Sequence, residues 1–306
     1  MQYLYYKCLL RRLPKTHTHY STFQEEFSRL DAGLAGEQRV AREMSDIPYN
    51  YVWLKNFQCL SPQNTSHQID FIILCPHFAV VLEVKNMSGH LFFQPESKEF
   101  YRARLDGQVD FFQSPFDQAI RHQQLLEQLF EMWNTPLPVT YAVVSTNTNS
   151  RIGTTFEGLP IFHVSYLRIF LSNLIKKHPP MNIDVNKLKE KLQSYSVVFP
   201  PRKLVNNSDL LTGVLCSICH AKMTFNHGVA ICTVCNHRTR NGILETLRDY
   251  YYLVDTTISN REFRWFSEIN SKSRASKTLS RLPLKTTGNH RSTRYIIPEN
   301  LISFDS

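Results

Sequence analysis

Asp70, Glu83 and Lys85 lie in two apolar runs, residues 68–74 and 78–84, separated by Cys75-Pro76-His77. A hairpin turning at Pro76 and His77 sets Asp70 opposite Glu83, with Cβ atoms roughly 5 Å apart. Side chains alternate along a strand. Lys85 therefore shares a face with Glu83, while Phe71, Ile73, Leu82 and Val84 point to an apolar core on the other side. Two facing carboxylates repel unless a cation lies between them, and oxygen donors suit Mg²⁺ or Mn²⁺. A hydrated divalent ion held there binds a phosphate oxygen and delivers a water. Lys85 then orients that water or stabilises the developing charge. The same three residues also fit an ion-pair cluster on a solvated sheet face.

Cys216, Cys219, Cys232 and Cys235 form a second constellation, two CxxC pairs separated by 12 residues. Each CxxC turn supplies two converging sulfurs, and four thiolates close a tetrahedron around one Zn²⁺. Two unrelated CxxC pairs or a redox disulfide are the alternatives. With four protein donors the site has no position open to water and is structural. Asn226-His227 and Gly228 suit the turn between the halves, and neither His220 nor His237 is needed as a ligand. A segment this short buries little, so the metal supplies most of its folding free energy. Cys8, Cys59 and Cys75 are isolated and read as ordinary thiols of a reducing cytosol.

The elements that must position these groups follow from periodicity. Residues 23–44 have helical spacing, with Phe23, Phe27, Leu30, Leu34 and Val40 apolar and Gly33 and Gly36 interrupting. Residues 91–93 and 100–104 read as short strands. Pro115 opens a helix over 116–133, followed by a buried strand over 139–145 and a helix over 166–175. Helices mixed with strands predict an α/β domain over residues 1–178. Pro179-Pro180 breaks the chain, a Lys-rich helix at 185–195 lies in a linker over 179–211, and the four-cysteine segment fills 212–238. No run approaches the roughly 18 apolar residues of a membrane span. The apolar residues of 1–13 precede Arg11 and Arg12, the reverse of a secretory signal, so a cytoplasmic protein is expected.

The net charge of +9 is unevenly placed: residues 1–200 carry 20 Lys/Arg against 18 Asp/Glu, and residues 201–306 carry 15 against 8. Residues 239–306 predict a basic domain. A helix over 243–254 comes first, then one capped by Ser259 or Asn260 with Phe263 and Phe266 inward. A third, capped by Ser271 or Ser273, turns Ala275, Leu279 and Leu282 inward. Lys272, Arg274, Lys277 and Arg281 remain for solvent or phosphate. Leu284, Gly288-Asn289 and residues 294–297 suit a β-hairpin carrying Arg291 and Arg294. Three helices and a basic hairpin resemble a winged helix-turn-helix, with the third helix in the DNA major groove and the hairpin arginines, Arg291 and Arg294, on phosphate or the minor groove. A basic linker or a protein-docking domain fits the same charge pattern.

Gly33-x-x-Gly36-Glu37, Gln68-Ile69-Asp70, Glu83-Val84-Lys85-Asn86 with Gly89, and Ser114-Pro115-x-x-Gln118 resemble in order the NERD (nuclease-related) domain. That family looks like an offshoot of the PD-(D/E)xK restriction-endonuclease-like superfamily, and the likeness covers roughly residues 30–150. It implies a mixed sheet flanked by helices, Asp70 and Glu83 as Mg²⁺ or Mn²⁺ ligands, and Lys85 as catalytic lysine. It also implies Glu37 as a further carboxylate and Gln118 as a glutamine beside the site. Ser114 stands where the family usually has asparagine. The chain is thereby expected to be a metal-dependent nuclease or DNA-processing protein, with a homodimer as the arrangement that cuts both strands. A non-catalytic DNA-binding or regulatory protein, or a scaffold whose basic tail binds RNA or acidic protein, is the alternative.

Overall fold

The computed structural model describes residues 1–94, 96–153, 159–199, 202–226, 228–289 and 292–302. Contacts divide the chain into two compact units, Leu30–Phe199 and Met1–Arg29 with Pro200–Ser306. The expected domain bounds fall elsewhere. Residues 1–29 group with the C-terminal part of the chain, and residues 179–199 with the unit before them. Their partners are distant in sequence, beyond the reach of local periodicity.

The chain opens with α1 (Gln2–Arg12) and α2 (Tyr20–Ser45). The Leu30–Phe199 unit continues with β1 (Val52–Leu60), β2 (Ser66–Cys75), β3 (Phe78–Lys85), β4 (Gly89–Gln94), β5 (Glu99–Ala103) and β6 (Val109–Phe112). After these come α3 (Pro115–Met132), β7 (Val139–Ser145), β8 (Ser150–Ile152), β9 (Ile161–His163), α4 (Leu167–Lys177) and α5 (Val185–Tyr195). Five strands form a mixed sheet in the order β1-β2-β3-β7-β9. The first three pair antiparallel, whereas β3, β7 and β9 run parallel. The expected hairpin register is present, from Phe71 opposite Leu82 to Cys75 opposite Phe78.

Both faces of this sheet are apolar. Ile72, Leu74 and Val81 pack with Leu125 and Leu129 of α3 and Leu188 and Leu192 of α5. Ile73, Val80 and Leu82 pack with Val40 and Met44 of α2 and Leu167 and Leu171 of α4. Burial on both sides explains why β2 and β3 read as continuous runs rather than alternating ones. It also explains α5, whose Leu188 and Leu192 finish a core, so that it belongs to the body of the unit. A second sheet, β6-β5-β4-β8, buries Leu91, Phe93 and Phe100 against Phe116 of α3.

The other unit adds to α1 the strands β10 (Met223–Asn226), β11 (Val229–Cys232) and β12 (Arg238–Thr239), which form an antiparallel sheet beside the cysteines. Then come α6 (Gly242–Leu253), β13 (Thr257–Ser259), α7 (Asn260–Ser267), α8 (Lys272–Ser280), β14 (Lys285–Thr287), β15 (Arg294–Ile296) and α9 (Glu299–Ile302). The three expected helices and the hairpin are present. Ser259 and Glu262 form a capping box on α7, and Ser271 caps α8. Strand β13, unread in the sequence, adds to the hairpin in the order β13-β15-β14.

An ionic contact secures α1. The wholly buried Arg12 donates through Nε to Asp249 Oδ2 at 2.6 Å and through Nη1 to the carbonyls of Leu211 and Gly213 at 3.1 and 2.6 Å. Its guanidinium lies 4.6 Å from the Phe266 ring centroid. Arg11 donates to Asp249 as well and reaches Glu245 Oε2 at 3.3 Å. Among the described residues no helix is long and apolar enough to cross a membrane.

Candidate functional site

Asp70 and Glu83 lie one step beyond Phe71 and Leu82, the last paired residues of β2 and β3, in the register that opposes them. There the ladder is replaced by a side-chain bond: Val84 N–H donates to Asp70 Oδ2 at 2.8 Å. Lys85 Nζ donates to Glu83 Oε1 at 2.7 Å and to Gln118 Oε1 at 3.0 Å. Glu83 is buried and Lys85 partly so, with side-chain exposures of 7% and 23%. Four of the expected residues, Asp70, Glu83, Lys85 and Gln118, are thus brought together at one end of the apolar face beneath α3. Ser114 caps α3 by accepting from Asp117 N at 3.3 Å, with Pro115 at the first helical position. Serine fills this capping role as asparagine would.

Glu37 reaches the same region from α2 because Gly36 lets the helix in close. A Cβ at position 36 would lie 2.9 Å from Asn86 Cβ and from Thr146 Oγ1. Asn86 fastens the approach, donating to the Ala32 carbonyl at 2.7 Å and accepting from Arg39 Nη1 at 3.2 Å. Glu37 accepts from Asn56 Nδ2 at 2.7 Å, and Asn56 Oδ1 in turn accepts from Gln68 Nε2 at 3.1 Å. Asn56, in strand β1 with φ of +50°, escaped the sequence reading. The available signal was an asparagine, which tolerates the left-handed conformation, interrupting the strand-like run Trp53-Leu54-Lys55-Asn56-Phe57.

The electrostatics are unbalanced. Burial and the neighbouring Glu83 push the Asp70 carboxyl up to about 7, with Glu37 adding to the effect and the Val84 bond opposing it. Burial also pushes Glu37 up, against the Asn56 hydrogen bond and the Lys55 charge. His122, one turn beyond Gln118, is held down to about 4 by burial and by the nearby His67, Arg121 and Lys85. Its buried Nδ1 has no hydrogen-bond partner among the described residues. His122 is thus a half-buried histidine with an orphan nitrogen.

In the other unit, the four cysteine sulfurs all lie within 4.8 Å of one another. Cys216 Sγ and Cys235 Sγ are 3.6 Å apart, and Cys219 Sγ and Cys232 Sγ 3.3 Å. Sulfurs about 2.3 Å from one tetrahedral zinc ion stand about 3.8 Å apart, so the donor set suits a structural Zn²⁺. The two CxxC turns are built alike. Cys216 N–H donates to the Ala221 carbonyl and Cys232 N–H to the His237 carbonyl, each five residues on. His220 and Asn236, following the second cysteine of each pair, share positive φ values of 62° and 59°. Gly228, at φ +84°, takes part in the β10–β11 turn, while His227 lies outside the described residues. A backbone N–H from Cys235 holds the Cys232 thiol down to about 6.

Lys272, Arg274, Lys277 and Arg281 are exposed along α8 and at its C-cap, with no ion pair among the described residues. Arg294 behaves differently from the expectation that it meets phosphate. It donates to Thr257 Oγ1 at 2.8 Å and pairs with Asp255 and Glu262 at 3.1 and 3.2 Å. As part of the central strand β15 it ties β13 and α7 together, and its charge is already neutralised. Arg291 lies outside the described residues.

A mixed sheet flanked by helices, with two carboxylates and a lysine at one strand end, defines a mixed α/β unit. Residues 32–146 match the nuclease-related domain, NERD, so the chain contains a nuclease-related domain. No curated protein and no solved structure matches the chain.

Proposed function

We propose that this chain is a divalent-metal-dependent nuclease that hydrolyses phosphodiester bonds, with DNA as substrate. The carrying observation is the cluster of Asp70, Glu83, Lys85 and Gln118 within the nuclease-related match. Hydrogen bonds engage Asp70 through Oδ2 and Glu83 through Oε1, leaving one oxygen of each for a ligand, and a bound cation would relieve the raised Asp70 carboxyl. Hard oxygen donors of this kind fit Mg²⁺ or Mn²⁺, held by Asp70 and Glu83. When bound, the ion supplies Lewis-acid activation of phosphate and water. Lys85, oriented by Glu83 and Gln118, puts a positive charge where the phosphate becomes more negative. Glu37, steadied by Asn56, adds a carboxylate at the rim.

The exposed cations of α8 provide sequence-independent affinity for the phosphate backbone. Zinc braces the unit that carries them. A cytoplasmic location and a second copy of the chain for the opposite strand complete this reading. One observation favours the alternative, a non-catalytic nucleic-acid-binding protein. Glu83 is already paired with Lys85, and among the described residues no three acidic or histidine ligand atoms come within 4.8 Å of one another.

Cleavage of plasmid and linear DNA in Mg²⁺ or Mn²⁺ by the full chain, Asp70→Ala and Lys85→Ala separates the two. We expect at least a hundredfold loss in both variants. Equal cleavage by all three proteins sinks the site, and DNA binding without cleavage by the full chain favours the alternative. The α8 surface is tested by Lys272→Ala, Arg274→Ala and Lys277→Ala together. An unchanged salt dependence of affinity removes it from the interface.

A further inference from the structure

The second sheet of the Leu30–Phe199 unit has one buried face and one that carries aromatic rings. Register places Phe111 of β6 beside Tyr101 of β5, and Tyr101 beside Phe92 of β4, in one cross-strand row. Phe92 and Tyr101 are stacked with centroids 5.2 Å apart and planes 19° from parallel, and Phe111 follows at 5.7 Å. Stacked planes touch at about 3.5–4 Å, so rings separated by 5.2 Å are offset, each with part of its face uncovered. The row continues over β8, where Gly153 makes room. A Cβ there would lie 2.6 Å from Phe92 Cε1.

The adjacent row on the same face holds His90 and, opposite it on β8, the exposed Arg151. Arg151 has no ion pair among the described residues, and neither of these two rows contains a carboxylate; Glu99, opposite Gln94 in the third row of the face, accepts from Ser97 Oγ at 3.0 Å. Phe111, at the sheet edge, is 68% exposed. Val109, in the adjacent row of the same face, is 48% exposed, so the apolar surface extends beyond one residue, as at binding faces.

We infer that this face is a stacking platform for single-stranded nucleic acid, with bases laid on Phe111, Tyr101 and Phe92 and a phosphate taken by Arg151. The inference rests on the nucleic-acid reading above and adds to it a separate site for strands whose bases are unpaired. Aromatic rings on an open four-stranded sheet meet bases through their π-faces without reading sequence, and a cation beside them tracks the backbone. A second protein chain needs complementary shape but has no requirement for an unpaired arginine beside a ring stack. The unpaired cation beside the rings therefore favours the nucleic acid.

Binding of fluorescein-labelled oligothymidylate and oligouridylate to the full chain, without added Mg²⁺ or Mn²⁺, tests the platform apart from any cleavage. Phe111→Ala is expected to weaken both about tenfold. Tyr101→Leu, which keeps apolar volume, should do likewise, and duplex affinity should hold. Phe111→Trp is expected to retain binding and to show tryptophan quenching on addition of the oligonucleotide, a signature of stacking. Unchanged affinity in Phe111→Ala and Arg151→Ala overturns the platform, as does an unquenched Phe111→Trp. A dimer of the full chain that Phe111→Ala dissociates, with oligonucleotide affinity unaltered, overturns it in favour of self-association. A full chain that binds the oligonucleotides through Phe111 yet cleaves no DNA in Mg²⁺ or Mn²⁺ refutes the nuclease reading and leaves the platform standing.

Discussion

The four-cysteine centre and the carboxylate cluster both gather donor atoms of kinds that metals take, yet they are built in opposite ways. The sulfurs converge within 4.8 Å, supported by two matching backbone turns, and suffice for one ion without outside donors. The carboxylates are fewer and desolvated, partly engaged with Lys85 and the Val84 N–H, and left with unused oxygens. A donor set complete within the chain reads as structure. One that leaves charge uncompensated in a buried setting reads as a place for something that arrives and leaves.

The largest test of this contrast is metal removal. Chelation, or Cys216→Ser, should abolish one zinc per chain and the thermal transition of the Met1–Arg29 and Pro200–Ser306 unit, because structural zinc contributes on the order of 10 kcal/mol. The Leu30–Phe199 unit should retain its own transition. A metal-free protein with both transitions intact would mean the sulfurs are not structural.

The carboxylate cluster should respond in the other direction. An Asp70 carboxyl near 7 when folded, against about 3.9 when unfolded, costs nothing below pH 4, where both states hold the proton. The cost grows between pH 4 and 7 and is complete above that. Asp70→Asn should therefore stabilise the protein without added metal by on the order of 1–3 kcal/mol at pH 8 and by nothing at pH 4. Urea unfolding at the two pH values measures the difference, and a destabilised Asp70→Asn at pH 8 would make Asp70 a structural residue. The smallest effect is expected at Gln118. Gln118→Ala removes one hydrogen bond to Lys85 and should cost about 0.5–1.5 kcal/mol. A loss above about 3 kcal/mol would move it from the site into the scaffold.

Much of this contrast was legible in the sequence, because it rests on short spacings. The cysteine intervals and the symmetry of Asp70 and Glu83 about Pro76 and His77 are local, and both survive in the structure. The glycines of the Gly33-x-x-Gly36-Glu37 segment separate only in three dimensions. Gly36 admits Asn86 and Thr146, whereas nothing lies within 4 Å of a Cβ at Gly33. What escaped was set by partners far along the chain. Asn56 depends on Glu37 and Gln68, and Arg294 was assigned to phosphate because Asp255 and Glu262 lie more than 30 residues upstream. The aromatic row arises only when β4, β5, β6 and β8 are in register, a pairing no periodicity announces.

Arg12 and Asp249 are separated by 237 residues and meet in a buried ion pair. On the ribosome, the first helix therefore emerges long before the residue that neutralises its arginine exists. Until α6 has been made, a side chain that ends wholly buried must stay hydrated or be held by a chaperone, while the Leu30–Phe199 unit is free to fold first. Truncation after residue 240 would leave that arginine without Asp249. Such a variant would report on the folding of α1 as much as on the basic helix it was cut to remove.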